Sequence, residues 1–197
     1  MGKGRLEAFS DGVIAIILTI TVLEVKVPHG SDLAALSAQV PVLLSYTLSF
    51  VFIGIYWNNH HHMLHATRKV NGWVLWANLH LLFWLSLVPV ATGWLGEYPN
   101  ESLPASLYGV LLFMAGIAYT LLSRTLIAAD HGASTLAAAV GRSRKGELSQ
   151  ILYLSGIGIA FFRPWISELL YVTVACLWFV PNPRIERMLE PPPSAAA

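Results

Sequence analysis

Residues 5–24 read Arg5-Leu6-Glu7-Ala8-Phe9-Ser10-Asp11-Gly12-Val13-Ile14-Ala15-Ile16-Ile17-Leu18-Thr19-Ile20-Thr21-Val22-Leu23-Glu24. Between Val13 and Leu23 only Thr19 and Thr21 interrupt the apolar run. With its flanks the segment approaches the ~20 residues a helix needs to cross a bilayer. One acid, Asp11, lies inside it. An ionisable side chain within a span turns toward protein or water, because lipid exposure is costly. At about 100° per residue, Ile16, Thr19, Ile20 and Leu23 fall on one stripe and Asp11 on the other side. Asp11 is therefore expected to face the subunit's own helices. The stripe has two readings: a surface for lipid or ordinary helix packing, or the lining of an axis where copies of this helix meet. Spacing and composition leave both open. The segment also lacks a small-residue cleavage site, so it is expected to stay as a span and not be removed as a signal peptide.

The rest of the chain extends this reading. Of its 197 residues, 55% are hydrophobic and 12% charged, against ~25% charged in a soluble domain. The sequence predicts an all-α protein with six transmembrane helices at about 8–27, 35–60, 73–95, 104–128, 147–162 and 165–180. Residues 1–183 form the membrane domain, and the tail from Arg184 to Ala197 is expected to be cytoplasmic and disordered, with its Pro191-Pro192-Pro193 run. Pro89 is expected to kink the third helix. With six spans both termini share one side, which receives Lys3, Arg5, Arg68, Lys69, Arg142, Arg144, Lys145, Arg184 and Arg187. The other side holds Lys26 and Arg163 with Asp32, Glu97, Glu101 and Glu168. The positive-inside rule then places both termini in the cytoplasm, with the protein in the cell inner (plasma) membrane.

Residues Arg5, Phe9, Ser10 and Asp11 make R-x-x-x-F-S-D at the head of the first span. Trp57 and His60 make W-x-x-H near the end of the second, and Asn78, Ser86, Pro89 and Thr92 mark the third. Together these resemble the transmembrane protein 175 family of potassium channels, with a length that matches one single-repeat member. The resemblance implies a homotetramer with the first helix of each subunit around a central pore. It implies an apolar constriction at Ile16, Ile20 and Leu23, with the hydroxyl of Thr19 contributing selectivity. Those four are also the helical stripe, so the resemblance favours pore lining over lipid. The chain lacks a T-V-G-Y-G carbonyl filter, so the expected activity is potassium permeation of modest selectivity through side-chain rings. The alternative is a secondary transporter for protons or metal ions built on Asp11 and the histidines of the second helix. An unbroken first helix without midplane charge argues against that alternative.

Arg5, Ser10, Asp11 and His60 are expected to form one polar network that orients the first helix, with Phe9 and Trp57 beside it. The competing reading makes Ser10 a helix N-cap and Asp11 an early-turn acid. The run His60-His61-His62-Met63-Leu64-His65 places His61 and His65 at i, i+4, but adjacent histidines diverge around a helix and no Asp or Glu occurs between Leu33 and Gly96. No metal site and no cofactor are expected beyond potassium ions in the pore. His80 is expected to be packed and hydrogen-bonded, and the tryptophans to lie mostly at span ends. Glu24 is either a cation-attracting group at the outer mouth or a plain interfacial charge. Cys176 is alone, which excludes a disulfide framework. The net charge of +1 gives no sign of a nucleic-acid partner. The loops carry no nucleophile–base set, so no catalytic activity is expected. The expected partners are copies of the same chain, the lipid bilayer and monovalent cations.

Overall fold

The computed structural model describes residues 2–130 and 144–179, and these are helical with short connections. Helix α1 spans Lys3–Thr21 and tightens into a 3-10 turn at Val22–Glu24. It begins earlier than the expected Ala8, because Gly2 holds the extended cap conformation and the good helix formers Lys3, Arg5, Leu6 and Glu7 outweigh Gly4. It stops before Val27, with Val25 already extended; Pro28 disfavours helical geometry at the residue before it.

Helix α2, Leu33–Ser37, is capped by Asp32, whose Oδ1 accepts from the Ala35 amide at 2.8 Å. Helix α3 spans Val40–His65 and carries Pro41 in its first turn, where a missing N–H costs nothing. This shifts the second helix toward the C-terminus relative to the expected 35–60, so all four histidines of the cluster lie inside it. Helix α4 is Gly72–Ser86, capped by Asn71, and α5 is Val88–Glu97. The expected third span is thus two helices that break at Leu87, just ahead of Pro89, which has no N–H to continue the ladder. Helix α6 spans Ser102–Ala129. It follows Asn100, whose φ of 67° is a left-handed turn conformation that Asn tolerates well. Helices α7 and α8 are Arg144–Ile159 and Pro164–Phe179.

Among the described residues, four stretches are long and apolar enough to cross a membrane: Lys3–Glu24, Val40–His65, Gly72–Glu97 and Ser102–Ala129. The expected fifth and sixth spans appear as 16-residue helices. At 1.5 Å per residue each is about 24 Å long, short of the ~30 Å hydrocarbon core. The tail from Arg184 and the basic residue Arg142 lie outside the described residues.

Two apolar clusters hold the bundle. One gathers Leu6, Ile14 and Ile17 of α1 with Ile53, Leu64, Leu81 and Leu122 of α3, α4 and α6. The other joins α3, α5 and α6 to α7 and α8 around Tyr108, Tyr153 and Tyr171. Tyr171 fits because Gly109 and Gly156 lie against its ring, where a Cβ would collide; its hydroxyl donates to the Ala105 carbonyl at 3.1 Å. Between the clusters, the Ser49 hydroxyl lies 2.6 Å from that of Thr92 and 2.8 Å from that of Tyr108. The three tie α3, α5 and α6 inside the bundle, where buried hydroxyls need partners.

Candidate functional site

Helix α1 presents two faces. Leu6, Ser10, Ile14, Ile17 and Thr21 recur at helical spacing and are buried against α3, α4 and α5. Their opposite is the stripe singled out by spacing: Ile16 is 57% exposed, Ile20 45% and Leu23 74%. Thr19 lies with them, exposed, its hydroxyl donating to the Ile16 carbonyl at 2.9 Å. Phe9 is exposed on the same side. Gly4, Ala8, Gly12 and Ala15 border the stripe, and a Cβ added at Gly4 or Gly12 meets nothing within 4 Å.

The buried face carries a polar chain. Ser10, fully buried, donates to the Leu6 carbonyl at 2.8 Å. This places Ser10 a full turn inside the helix and excludes the N-cap reading; Gly2 is the cap. The Asn78 amide donates to Ser10 Oγ at 2.9 Å. Its carbonyl oxygen is then left to accept from His60 Nε2 at 2.7 Å. Asn78 and His60 are buried too, so the chain pins α1, α4 and α3 together away from solvent. Buried polar groups in hydrocarbon need such partners.

The expected single network of Arg5, Ser10, Asp11 and His60 divides into separate contacts. Ser10 and His60 are joined, but through Asn78. Asp11, half-buried, accepts from Trp57 Nε1 at 3.0 Å. Arg5 is exposed, and its guanidinium meets no partner among the described residues. The reason is angular: Ser10 and Asp11 face α4 and α3, whereas Arg5 falls within about 20° of Ile16 on the helical wheel.

Spacing alone missed three features. Asn78 stood among the residues that mark the third helix, but its bonds to Ser10 and His60 were not foreseen. Glu7 Oε1 approaches His61 Nδ1 at 3.3 Å. Trp57, His61 and His65 stack along α3, with centroids 6.2 and 6.1 Å apart and interplanar angles of 28° and 22°. His61 and His65 thus face each other as rings. His80, as its position suggested, is bonded: Trp84 Nε1 donates to its Nε2 at 2.9 Å. Glu24 turns from the exposed stripe onto Gly93 of α5, and Lys26 pairs with Glu97. The Glu97 carboxylate, bonded to the ammonium, holds Lys26 above its usual pKa.

The same part of the chain matches known proteins. Residues 5–89 match a family model described as the endosomal/lysosomal potassium channel TMEM175, an interval that contains Arg5, Ser10, Asp11, Trp57, His60 and Asn78. A potassium channel of Chryseobacterium sp. (strain P1-3) is 50% identical over 96% of this chain and 99% of its own length. The chain belongs to the TMEM175 family. The human endosomal/lysosomal proton channel TMEM175 is 33% identical over 91% of the chain, which spans 41% of the human protein. The crystal structure of a lysosomal potassium-selective channel TMEM175 homolog from Chamaesiphon minutus superposes with a TM-score of 0.79 at 28% identity, covering 90% of this chain and 96% of that one. Membership of TMEM175, with four helices of spanning length, makes the chain an integral membrane protein.

Proposed function

We propose that the chain is one subunit of a homotetrameric, potassium-permeable cation channel, with α1 of each subunit around a central pore. The observation that carries this reading is the exposed stripe Ile16, Thr19, Ile20 and Leu23 on a helix whose other face is packed and hydrogen-bonded. The small residues beside it suit close approach of neighbouring copies of α1, since small side chains let membrane helices pack backbone to backbone. Potassium-channel relatives supply the ion.

In this reading the chain crosses the membrane six times, through α1, α3, the α4–α5 pair, α6, α7 and α8. Both termini are cytoplasmic and the membrane is the cell's plasma membrane. Residues 1–183 are the channel domain, and the remainder is a cytoplasmic tail. Aliphatic rings at Ile16, Ile20 and Leu23 offer an ion no ligands, so they set the diameter and act as a dewetting gate. The Thr19 hydroxyls replace part of a hydration shell, which yields modest selectivity. The Ser10–Asn78–His60 chain and the Asp11–Trp57 bond hold α1 in register and do not touch the ion. The pore is passive and requires no cofactor or catalytic group. The unbroken α1 keeps the channel ahead of the transporter.

Purified protein in liposomes or planar bilayers is expected to pass potassium with current set by driving force. Absence of any cation current would overturn the proposal. Ile16→Asn is expected to change conductance by several-fold, since a polar ring removes the dewetting barrier; a variant matching the parent would displace Ile16 from the constriction. Proton flux belongs in the same assay, given the human relative's name.

A further inference from the structure

Of the two basic residues in α1, Lys3 places its ammonium on the His65 carbonyl at 3.0 Å, and Arg5 has no partner among the described residues. The acids of the helix are engaged elsewhere, Glu7 by His61 and Asp11 by Trp57. Helix α1 is continuous from Lys3, so the position of Arg5 follows from helical geometry. It lies within about 20° of Ile16 around the axis and about 16 Å along it. Exposed residues of α1 include Gly4, Ala8, Phe9, Gly12, Ala15, Ile16, Thr19, Ile20 and Leu23, and Arg5 sits inside that arc. Charge on α1 is therefore segregated: carboxylates turn toward α3, and one guanidinium turns with the stripe.

We infer that four Arg5 guanidinium groups ring one mouth of the pore and repel cations entering there, so that Arg5 sets conductance from that side; this rests on the pore reading above. An aliphatic constriction has no charge with which to meter cations. A ring of fixed positive charge outside it lowers the local cation concentration in a way that salt screens. The arginine thus throttles potassium entry and is separate from the polar chain that holds the helix.

The test uses parent, R5Q and R5K tetramers of matched elution volume in planar bilayers under symmetrical KCl. The Debye length is ~30 Å at 0.01 M and ~3 Å at 1 M, so R5Q is expected to exceed the parent by about threefold or more at the low concentration and to converge with it at the high one. R5K is expected to follow the parent. Equal low-salt conductance of R5Q and parent overturns the inference and leaves Arg5 facing lipid headgroups. If R5Q does not assemble, the parent decides. Conductance that falls more steeply than concentration on dilution supports the ring, and a proportional or shallower fall overturns it. Failure of the pore reading looks different: the parent then carries no cation current at either salt.

Discussion

The inner face of α1 is held by hydrogen bonds around Ser10, whereas the outer face offers branched aliphatic side chains to its surroundings. A soluble helix has the reverse arrangement. Here a polar group within the hydrocarbon finds its partners only inside the bundle, so Ser10, Asn78 and His60 go inside, while Ile16, Ile20 and Leu23 need no partner and stay on the exposed face. If the proposed pore holds, the difference teaches that stability and conduction are separately encoded on one helix. Changes on the Ser10 face should act through folding, and changes on the Ile16 face through ion passage.

The strongest challenge to that separation is a matched pair of substitutions. Asn78→Leu removes the middle of the polar chain: His60 Nε2 loses its partner, and Ser10 keeps only its bond to the Leu6 carbonyl. Hydrogen bonds between membrane helices average only about 0.6 kcal/mol. An orphaned buried group costs about 1–3 kcal/mol, so a loss of about 2 kcal/mol is expected, read as a lower unfolding midpoint in detergent. Ile16→Asn, on the exposed face, is expected to leave that midpoint within about 0.5 kcal/mol. If Ile16→Asn destabilises as much as Asn78→Leu, the two faces do not have separate tasks.

Asp11→Ala tests the border between them. Among the described residues its one bond is to Trp57, whose ring is exposed enough to find water or a headgroup instead. The expected loss is about 0.5–1.5 kcal/mol, seen as a smaller tetramer fraction by size exclusion. The reversal potential in unequal potassium and sodium should not move. A shifted reversal potential with full assembly would bring Asp11 into the conduction path.

Much of this was readable from residues 5–24 alone. Period 3.6 separated Asp11 from Ile16, and the structure keeps them on different faces. The same arithmetic places Arg5 with Ile16, yet motif proximity grouped Arg5 with Asp11; adjacency in a motif is not adjacency on a helix. Asn78 lies 68 residues from Ser10, and only the packing of α4 on α1 reveals the bond. Helix ends moved for local reasons: Gly2 starts α1 early, and Pro41 fits the first turn of α3. Hydropathy marks where lipid is tolerated, and it carries little information about such caps. The Leu87 break was foreshadowed by Pro89, whose effect on backbone is nearly independent of context.

The smallest effect is expected at the far end of α1, where Lys26 and Glu97 meet in the open. Exposed ion pairs contribute little because water and salt screen them. Lys26→Met is therefore expected to shift the unfolding midpoint by less than about 1 °C at low salt. The sign of its pH dependence follows from the raised pKa. A lysine bound more tightly to its proton in the folded state contributes its full share below its unfolded value, and that share fades as pH rises through the folded value. The difference between parent and K26M should accordingly stay flat from about pH 6 to about pH 8 and vanish only in strong alkali. A K26M effect as large as that of Asn78→Leu would mean that the outer end of α1 is fastened as firmly as the Ser10 end. The helix would then be clamped at both ends and not pinned at one.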